Sequence, residues 1–193
     1  MDQTAELKEH IKLFFGLGEK ELKKINTFFK PKSLLKGEYY LKTGQYTDKL
    51  AFVKSGILRE FLYFNDKEVT KWISTNGGFV VDLQSFVFNQ PARWNIQALT
   101  DCELLVLEAS DYKQILKVIP NWPKIEKTFI AKCFIIMEER IVQHLSLSAE
   151  ERYQKVFEYN KELFNQVPLK YLASMLGMTP ETFSRIRKKI TGN

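Results

Sequence analysis

The segment Val167–Ile190, VPLKYLASMLGMTPETFSRIRKKI, decides the fold of this chain. Read at the helical period, it divides into two short amphipathic stretches, residues 168–176 and 179–190. Only Gly177 and Met178 separate them, which leaves room for a tight turn and nothing longer. A glycine adopts the positive φ that commonly ends a helix without steric cost. The segment therefore predicts a helix-turn-helix.

Residues at the two helix starts support this prediction. Pro168 suits a first helical turn, where its missing N–H is no loss. Thr179 is a good N-cap, and Pro180 follows it at the first helical position. Glu181 then places a negative charge near the positive end of the helix dipole. The sequence thus indicates where each of the two helices begins.

The second helix has two chemically different faces. Phe183, Ile186 and Ile190 share one face, which we expect to be buried. The opposite face is polar, and we expect it to be available for a surface outside the protein. That face carries Glu181, Ser184, Arg185 and Lys188.

The charge of this segment indicates an anionic partner. Residues 168–193 hold five lysines or arginines and one glutamate, which is +4 of the net charge of +6 carried by the whole chain. Clustered cations attract phosphates, and a helix of this size fits the major groove, where arginine can bond both acceptors of guanine. Double-stranded DNA is therefore the predicted partner. The alternative is a solvated basic helix at the end of a helical bundle.

The composition is that of a globular protein without a disulfide or metal framework. With 193 residues, 45% of them hydrophobic and 27% charged, the chain has enough material for one or two domains. Cys102 and Cys133 lack CxxC spacing, so we expect packed thiols, no metal site and a reducing cytoplasm. The N-terminus lacks a signal-peptide pattern, and Lys132 interrupts the densest apolar run, so we expect neither export nor a membrane span.

The middle of the chain changes from a helical to a β pattern. Residues 3–15 and 19–29 have the pattern of amphipathic helices, and Pro31 ends the helical character. From residue 32 to residue 108, short β-prone runs alternate with turn residues, which predicts an antiparallel jelly roll or barrel. The predicted strands are residues 39–42, 50–53, 57–64, 69–74, 79–81, 94–98 and 104–107.

A long helix is predicted over residues 124–145, and its apolar surface is wider than one buried face needs. We expect one apolar row to pack on the β domain and the neighbouring row to pack on a second copy of the chain. The alternative is that both rows pack inside one chain. The predicted dimer interface consists of Phe129, Ile130, Cys133, Phe134, Met137 and Ile141.

Two shorter helices flank the long one. Ser110 and Asp111 are predicted to cap a helix that runs through Val118. Ser148 and Glu151 have the spacing of a capping box, which predicts a helix through about Leu163. Because few residues lie between Leu145 and Ser148, this junction is a candidate hinge.

Several motifs together resemble the cyclic-AMP receptor protein and fumarate–nitrate regulator (Crp/Fnr) family of bacterial transcription factors. They are Gly37, Gly44, the run Leu50–Gly56 (LAFVKSG), Gly77-Gly78-Phe79, Ala98–Asp101, Leu172-Ala173 and Gly177–Ile186 (GMTPETFSRI). The resemblance implies an α+β protein with a cyclic-nucleotide-binding-like jelly roll and flanking helices, a dimerisation helix and a C-terminal helix-turn-helix. The implied domains are residues 1–120, 121–146 and 147–193.

The resemblance also implies which residues contact DNA. Glu181 and Arg185 match positions that face bases, while Thr179, Thr182 and Lys170 match positions near the backbone. Because the sequence ends soon after the second helix, we expect the β-hairpin wing to be missing or minimal, and we expect the basic run Arg187–Lys189 to take more of the phosphate contacts. The expected DNA-binding set is Lys170, Thr179, Pro180, Glu181, Thr182, Ser184, Arg185, Lys188 and Lys189.

The nucleotide pocket of the family is altered in this sequence. Cyclic-nucleotide binders use a Gly-Glu pair and an Arg-Ser pair, which here align with Val81-Asp82 and Ala92-Arg93. Asp82 is shorter than glutamate, and a displacement by one residue turns Arg93 to the opposite face of a strand. We therefore expect an effector other than cyclic AMP. The candidate pocket residues are Asp82, Leu83, Ser85, Arg93 and Trp94.

Together these observations predict a homodimeric, sequence-specific transcription regulator that binds a palindromic operator. RNA polymerase is a further partner that the resemblance implies. An alternative is a cyclic-nucleotide or small-molecule sensor that controls a protein partner. A third is a cupin-type metalloenzyme, but its barrel would need histidines, and His10 and His144 both lie outside the β region. We expect no catalytic residue and no resident cofactor, because the N-terminus lacks the cysteine cluster that an iron–sulfur centre needs.

Overall fold

The computed structural model describes Lys12 and residues 16–191, so the predicted helix over residues 3–15 falls almost entirely outside the described part. The described helices are α1 (Glu19–Ile25), α2 (Leu83–Phe88), α3 (Ala109–Val118), α4 (Trp122–Ser146), α5 (Ala149–Tyr159), α6 (Leu163–Gln166), α7 (Leu169–Met175) and α8 (Pro180–Thr191). The strands are β1 (Lys30–Leu34), β2 (Tyr39–Leu41), β3 (Lys49–Ser55), β4 (Leu58–Phe64), β5 (Lys67–Ser74), β6 (Phe79–Val80), β7 (Asn95–Ala98) and β8 (Cys102–Glu108).

The strands form two antiparallel four-stranded sheets, with the orders β1-β8-β3-β6 and β2-β7-β4-β5. Apolar side chains from both sheets meet in one core, for example Val53 and Val106 from the first sheet and Leu58 and Ile96 from the second. This arrangement confirms the antiparallel roll that the turn spacing predicts. The seven strands expected between residues 39 and 107 are all present, with bounds that differ by up to two residues at an end.

The sequence prediction missed strand β1, which contains Pro31. The strand pairs with β8 along Lys30–Leu34, and it lies at the edge of its sheet. An edge strand tolerates proline, because proline has no N–H to donate and the outer side of an edge strand has no neighbouring strand that would need one. Four of its five residues are exposed, so the strand has no alternating apolar pattern for a sequence search to detect.

Two predicted helix boundaries beside the roll were wrong. Helix α1 ends at Ile25 and continues as a 3-10 turn, Asn26–Phe28. Helix α3 begins at Ala109, directly after β8, so neither Ser110 nor Asp111 is its cap; the Ala109 N–H donates to the Asp48 carbonyl at 2.7 Å. These starts and ends depend on tertiary partners, which local sequence does not show.

Helix α4 is the longest element, and its two ends have different surroundings. Its first turns insert Trp122 and Ile125 into a core with Ile25, Phe52 and Ile115. Beyond Phe129 most of its side chains are exposed. The predicted helix over residues 124–145 is therefore confirmed, with two further residues at its start and one at its end.

The C-terminal helices close a third core around aromatic rings. The Tyr153 ring lies 5.1 Å from the rings of both Phe164 and Phe183, measured between centroids. The capping box at Ser148 and Glu151 is present, but α5 ends at Tyr159, short of the predicted Leu163. The Asn160 side chain accepts from the Leu163 N–H at 3.2 Å, and the chain restarts there as α6.

This third core is shared with the roll. Ile57, Ile73 and Leu99 belong to the β region, yet they lie in the same cluster as Leu172 and Phe183. The C-terminal helices are thus packed directly on the sheet that contains β4 and β5. The domain limits at residues 120 and 146 stay predictions.

Candidate nucleic-acid interface and effector site

Helices α7 and α8 are joined by a tight glycine turn, as the sequence predicts. Gly177 has a φ of +66°. The Met178 N–H donates to the Ala173 carbonyl at 3.0 Å, and the Gly177 N–H donates to the Ser174 carbonyl at 3.1 Å. This pair of bonds is the Schellman arrangement, which satisfies carbonyls at a helix end. Pro168 is the N-cap of α7, one position before the predicted one.

Helix α8 begins at Pro180, and Thr179 caps it. The Thr179 hydroxyl accepts from the Thr182 N–H at 3.2 Å. Glu181 follows in the first turn, and its pKa is held below the ordinary value by hydrogen bonds from its own backbone N–H and from the Thr179 side chain. Glu181 is therefore ionised at neutral pH.

The two faces of α8 divide as the periodicity predicts. Phe183 and Ile186 are buried, and Phe183 stacks on Phe164 at 5.7 Å between ring centroids. On the other face Glu181, Arg185 and Lys188 are exposed at a spacing of four and three residues. We call these three side chains the reading face. Its residue types are those that pair with base edges and phosphates.

The remaining predicted DNA contacts lie around this face. Thr179, Pro180 and Lys170 are exposed, whereas Thr182 and Ser184 are half-buried. The Lys170 ammonium lies 4.9 Å from the centroid of the Tyr171 ring. Lys189 is exposed, but its Nζ lies 2.8 Å from the Glu150 carboxylate, so part of its charge is balanced within the chain.

Two arginines that the sequence reasoning missed hold the end of α7. Arg140 of α4 donates to the Met175 carbonyl at 3.0 Å, and Arg152 of α5 donates to the Leu176 carbonyl at 2.9 Å. Cations are favourable at the negative end of a helix dipole. Burial lowers the pKa of Arg140, while the charge of Glu60 opposes this shift. No local signal reveals these bonds, because the partners are far apart in sequence.

The candidate effector residues surround Asp82, whose carboxylate is fully engaged by the chain itself. One oxygen accepts from the Ser85 N–H at 2.9 Å and caps α2. The other oxygen accepts from the Arg93 N–H at 2.8 Å and the Trp94 N–H at 3.2 Å. Asp82 is buried, so this carboxylate stabilises the loop between α2 and β7.

The other four candidate pocket residues do not converge on one point. Ser85 is buried and exchanges hydrogen bonds with the backbone of Thr47. Leu83 and Arg93 are exposed, and Trp94 is half-buried. The sequence prediction missed helix α2, because a six-residue helix is too short to establish a period.

A partly buried ion pair lies next to this region and was also missed. Glu60 of β4 is buried, and its carboxylate lies 2.5 Å from the Lys71 ammonium. Burial raises the pKa of Glu60, Lys71 and Arg140 lower it, and Asp82 raises it further. The Lys71 ammonium also lies 4.5 Å from the centroid of the Trp94 ring. Glu60, Lys71 and Trp94 therefore lie close together beside the candidate effector residues.

Helix α4 presents a long apolar surface beyond its buried start. Phe129 packs on Phe79 of its own chain at 5.0 Å between ring centroids, and Cys133 is half-buried. Phe134 is 63% exposed and Leu145 is 83% exposed. The remaining exposed apolar residues of this surface are Ile130, Ile135, Ile136, Met137, Ile141 and Val142.

Within the described part of the chain, no group of three or more histidine, cysteine or acidic side chains is placed to hold a metal ion. Burial raises the pKa of Cys102 and of Cys133, so both thiols stay protonated at neutral pH. None of the helices in the described part is long and apolar enough to cross a membrane.

Comparison with known proteins places this fold. Residues 31–118 match the family model of the cyclic nucleotide-binding domain. No curated protein matches the chain. Among solved structures, the catabolite activator protein of Thermus thermophilus is similar at 22% identity and a TM-score of 0.59, over 93% of this chain and 86% of that chain.

Two further solved structures are similar over most of their length. FixK2 from Bradyrhizobium japonicum has 15% identity and a TM-score of 0.70, with 85% of each chain covered. The c-di-GMP-responsive global regulator CLP of Xanthomonas campestris has 15% identity and a TM-score of 0.67, over 91% of this chain and 92% of that chain.

Residues 31–118 therefore have the fold of the cyclic nucleotide-binding domain. With the long helix and the C-terminal helices included, the chain has the fold of the Crp/Fnr-type regulators, which confirms the resemblance that the sequence motifs indicate. The matched family and the similar structures are binding domains and regulators and not enzymes.

Proposed function

We propose that this protein is a sequence-specific DNA-binding transcription regulator of the Crp/Fnr type. The observation that carries the proposal is the reading face, which presents Glu181, Arg185 and Lys188 on the exposed side of a capped helix. An exposed arginine can pair with both acceptors of guanine, and a lysine can neutralise a phosphate. RNA polymerase is a proposed further partner, and the cytoplasm is the proposed location.

The regulator acts as a homodimer in this proposal, with the exposed surface of α4 as the interface. Phe134 and Ile141 lie seven residues apart on this surface, and Met137 lies between them. That spacing is a coiled-coil seam, which a second copy of the same helix can cover. Two copies related by a two-fold axis would read two half-sites of a palindrome.

The effector differs from a cyclic nucleotide in this proposal. Asp82 accepts three backbone N–H groups, so its carboxylate has little remaining capacity for a ribose hydroxyl. Arg93 is exposed, and its backbone N–H is bonded to Asp82. CLP is described as responsive to c-di-GMP, but the identity of 15% transfers no ligand to this chain.

The test is a selection of bound duplexes from a random DNA pool at near-physiological salt, with and without cyclic nucleotides and related metabolites. We expect a palindromic motif whose half-sites lie about one helical turn apart, or a multiple of it. Dependence of the enrichment on one added compound would name the effector. If no motif is enriched under any condition, the proposal fails, and a sensor that controls a protein partner becomes the better interpretation.

A further inference from the structure

Strand β4 presents opposite faces to the two halves of the molecule. Leu58 points into the core of the roll, and Glu60, two residues further along, is buried on the same side. Arg59 points the other way, toward α7. Because side chains alternate along a strand, one strand forms part of the roll interior and also part of the seat for the helix-turn-helix.

Arg59 is the centre of this seat. Its side chain is 0% exposed, and its guanidinium carbon lies 4.0 Å from the centroid of the Phe61 ring and 3.6 Å from that of the Tyr171 ring. Its Nε donates to the Thr70 hydroxyl at 2.9 Å, and its Nη1 donates to the Glu68 carboxylate at 2.9 Å. Tyr171 belongs to α7, so the guanidinium bridges the sensor sheet and the DNA-binding helices.

Ser174 makes a second contact between α7 and the sheet. The Thr70 N–H donates to the Ser174 hydroxyl at 2.9 Å, and this hydroxyl donates to the Glu68 carbonyl at 3.3 Å. Strand β5 is an edge strand whose outer N–H and C=O groups would otherwise need another partner. Ser174 therefore satisfies part of this edge.

Arg140 makes a third contact at the end of α7. Its guanidinium donates to the Met175 carbonyl and lies 4.9 Å from the centroid of the Trp72 ring on β5. The contacts between α7 and the sheet region thus extend from Tyr171 through Ser174 to Met175. We call Arg59, Ser174, Arg140 and their partners the docking contact.

A charged guanidinium is costly to bury, so Arg59 depends on the contacts that α7 and β5 provide. Burial of a cation is tolerated when the cation is paired, hydrogen-bonded or stacked on aromatic rings. Arg59 obtains one of its two stacking partners from α7 and both hydrogen bonds from β5. If α7 left the sheet, Arg59 would lose Tyr171 and become hydrated.

The docked orientation also leaves the reading face uncovered. Glu181, Arg185 and Lys188 are exposed while α7 lies on β5. The docking contact is therefore compatible with DNA binding, whereas an autoinhibitory contact would cover these side chains. Because α7 is already held in one orientation, DNA binding costs less conformational entropy.

We propose that Arg59 is a positioning residue for DNA recognition, which fixes the helix-turn-helix on strands β4 and β5 by stacking between Phe61 and Tyr171. The link to DNA rests on the proposed function. The docking itself does not, so it is measured separately.

The first experiment measures hydrogen exchange of the full chain without DNA. Variants Arg59→Met and Ser174→Ala each remove one part of the docking contact, and Lys117→Met and Ser146→Ala are matched controls at exposed positions on α3 and α4. Loss of one buried hydrogen-bonding partner should raise exchange in residues 67–74 and 169–175 about fivefold or more. The controls should leave both segments unchanged.

Unchanged protection in both docking variants would overturn the proposed docking role. Because Ser174→Ala removes a single oxygen, this variant keeps the test valid even if Arg59→Met folds poorly. A rise in exchange that spread through the whole chain with Ser174→Ala would also count against a local contact.

The second experiment compares affinity for the selected operator with affinity for random duplex DNA. Arg59→Met should weaken operator binding about tenfold through loss of preorganisation and leave random-DNA binding and its salt dependence unchanged. Arg59→Lys keeps the charge but not the planar stack, and it should recover part of the loss.

Outcomes of the two experiments separate the two proposals. Absence of operator binding in the unmodified protein counts against the proposed function and leaves the exchange result to decide the docking. Faster exchange in Arg59→Met with full operator affinity would show that docking is present but does not position the reading face, and the inference would then be wrong.

Discussion

At the scale of single residues, Asp82 shows how one position can keep its place and change its role. The sequence places it at the family's ribose-binding position, but its two oxygens accept three backbone N–H groups. A carboxylate used in this way stabilises a loop and has little capacity left for a ligand. From the sequence, the only sign of an altered pocket at this position is that aspartate is shorter than glutamate. The three hydrogen bonds give the physical reason.

Arg185 is the residue at which sequence discrimination should be measured. Arg185→Ala should cost about 1–3 kcal/mol on the operator, because a bidentate contact to a base is lost. Lys188→Ala should weaken operator and random DNA alike and lower the salt slope by about 1. Fluorescence anisotropy titrations with both DNAs at several salt concentrations check this. Equal losses for Arg185→Ala on both DNAs would show that Arg185 does not read bases.

Glu60 makes the stability of the roll depend on pH. Because burial raises the pKa of this carboxyl above its ordinary value of 4.5, the folded state holds the proton more tightly than the unfolded state does. As pH rises from the ordinary value through the raised pKa, this group therefore lowers the free energy of unfolding. Lys71 and Arg140 face the carboxyl as cations and lower its pKa, whereas Asp82 raises it. Burial is the largest effect, so the pKa of Glu60 stays raised.

The variant Glu60→Gln removes this dependence. The stability of the unmodified protein relative to Glu60→Gln should fall as pH increases across that window, and urea denaturation at a series of pH values measures it. Glu38→Gln, at an exposed position on the turn before β2, is the control. Parallel stability curves for Glu60→Gln and the unmodified protein would contradict a raised pKa.

Residues of the candidate site divide by how far away their partners are. Glu181, Arg185 and Lys188 could be predicted because their exposure follows from the period of one capped helix. Arg59, Glu60 and Arg140 could not, because their partners Tyr171, Lys71 and Met175 lie 112, 11 and 35 residues away in the sequence. The sequence therefore indicated the exposed polar side chains of α8 and missed those that hold the helices in place.

At the scale of elements, the turn between α7 and α8 depends on backbone conformation. Gly177 has a φ of +66°, and a Cβ at this position would lie 3.3 Å from the His144 ring. Elements with local signals, such as the capping box and this turn, were predicted correctly. Strand β1 and helix α2 were missed because an exposed edge strand and a six-residue helix have no periodic apolar pattern.

Substitution of this glycine tests the turn. Gly177→Ala should lower the free energy of unfolding by about 1–2 kcal/mol, because alanine is strained in the left-handed region. Gly177→Asn carries the same Cβ but tolerates that region better, so it should lose less. Chemical denaturation of both variants is the measurement. A larger loss for asparagine than for alanine would mean that contact with His144, and not backbone strain, dominates.

At the scale of the whole molecule, the oligomeric state tests the proposed interface on the exposed surface of α4. Phe134→Glu should convert a dimer to a monomer, because the coiled-coil seam would bring the glutamates of the two copies together and remove them from water. Thr128→Glu adds the same charge at an exposed position away from Phe134 on this helix and should leave the dimer intact. Sedimentation velocity distinguishes the two species. Operator affinity should fall with the dimer, since one half-site alone is bound weakly.

A monomeric unmodified protein would argue against the proposed interface. An unmodified protein and a Phe134→Glu variant that are both dimers would place the interface elsewhere on the surface. In either case the exposed apolar residues of α4 would need a partner other than a second copy of this helix.

One core limits how this protein can be recombined, because it is shared by Ile57, Ile73, Leu99, Leu172 and Phe183. Many two-part proteins tolerate the exchange of one part for that of a distant relative, because few side chains cross the junction. Here a chimera joined at residue 146 would expose Arg59 and the edge of β5 to a foreign helix. A functional exchange would have to transplant the outer face of β4 and β5 together with the new helices. Under the proposed function, a new operator specificity should therefore be obtained more readily by changing the three reading-face residues than by replacing the C-terminal segment.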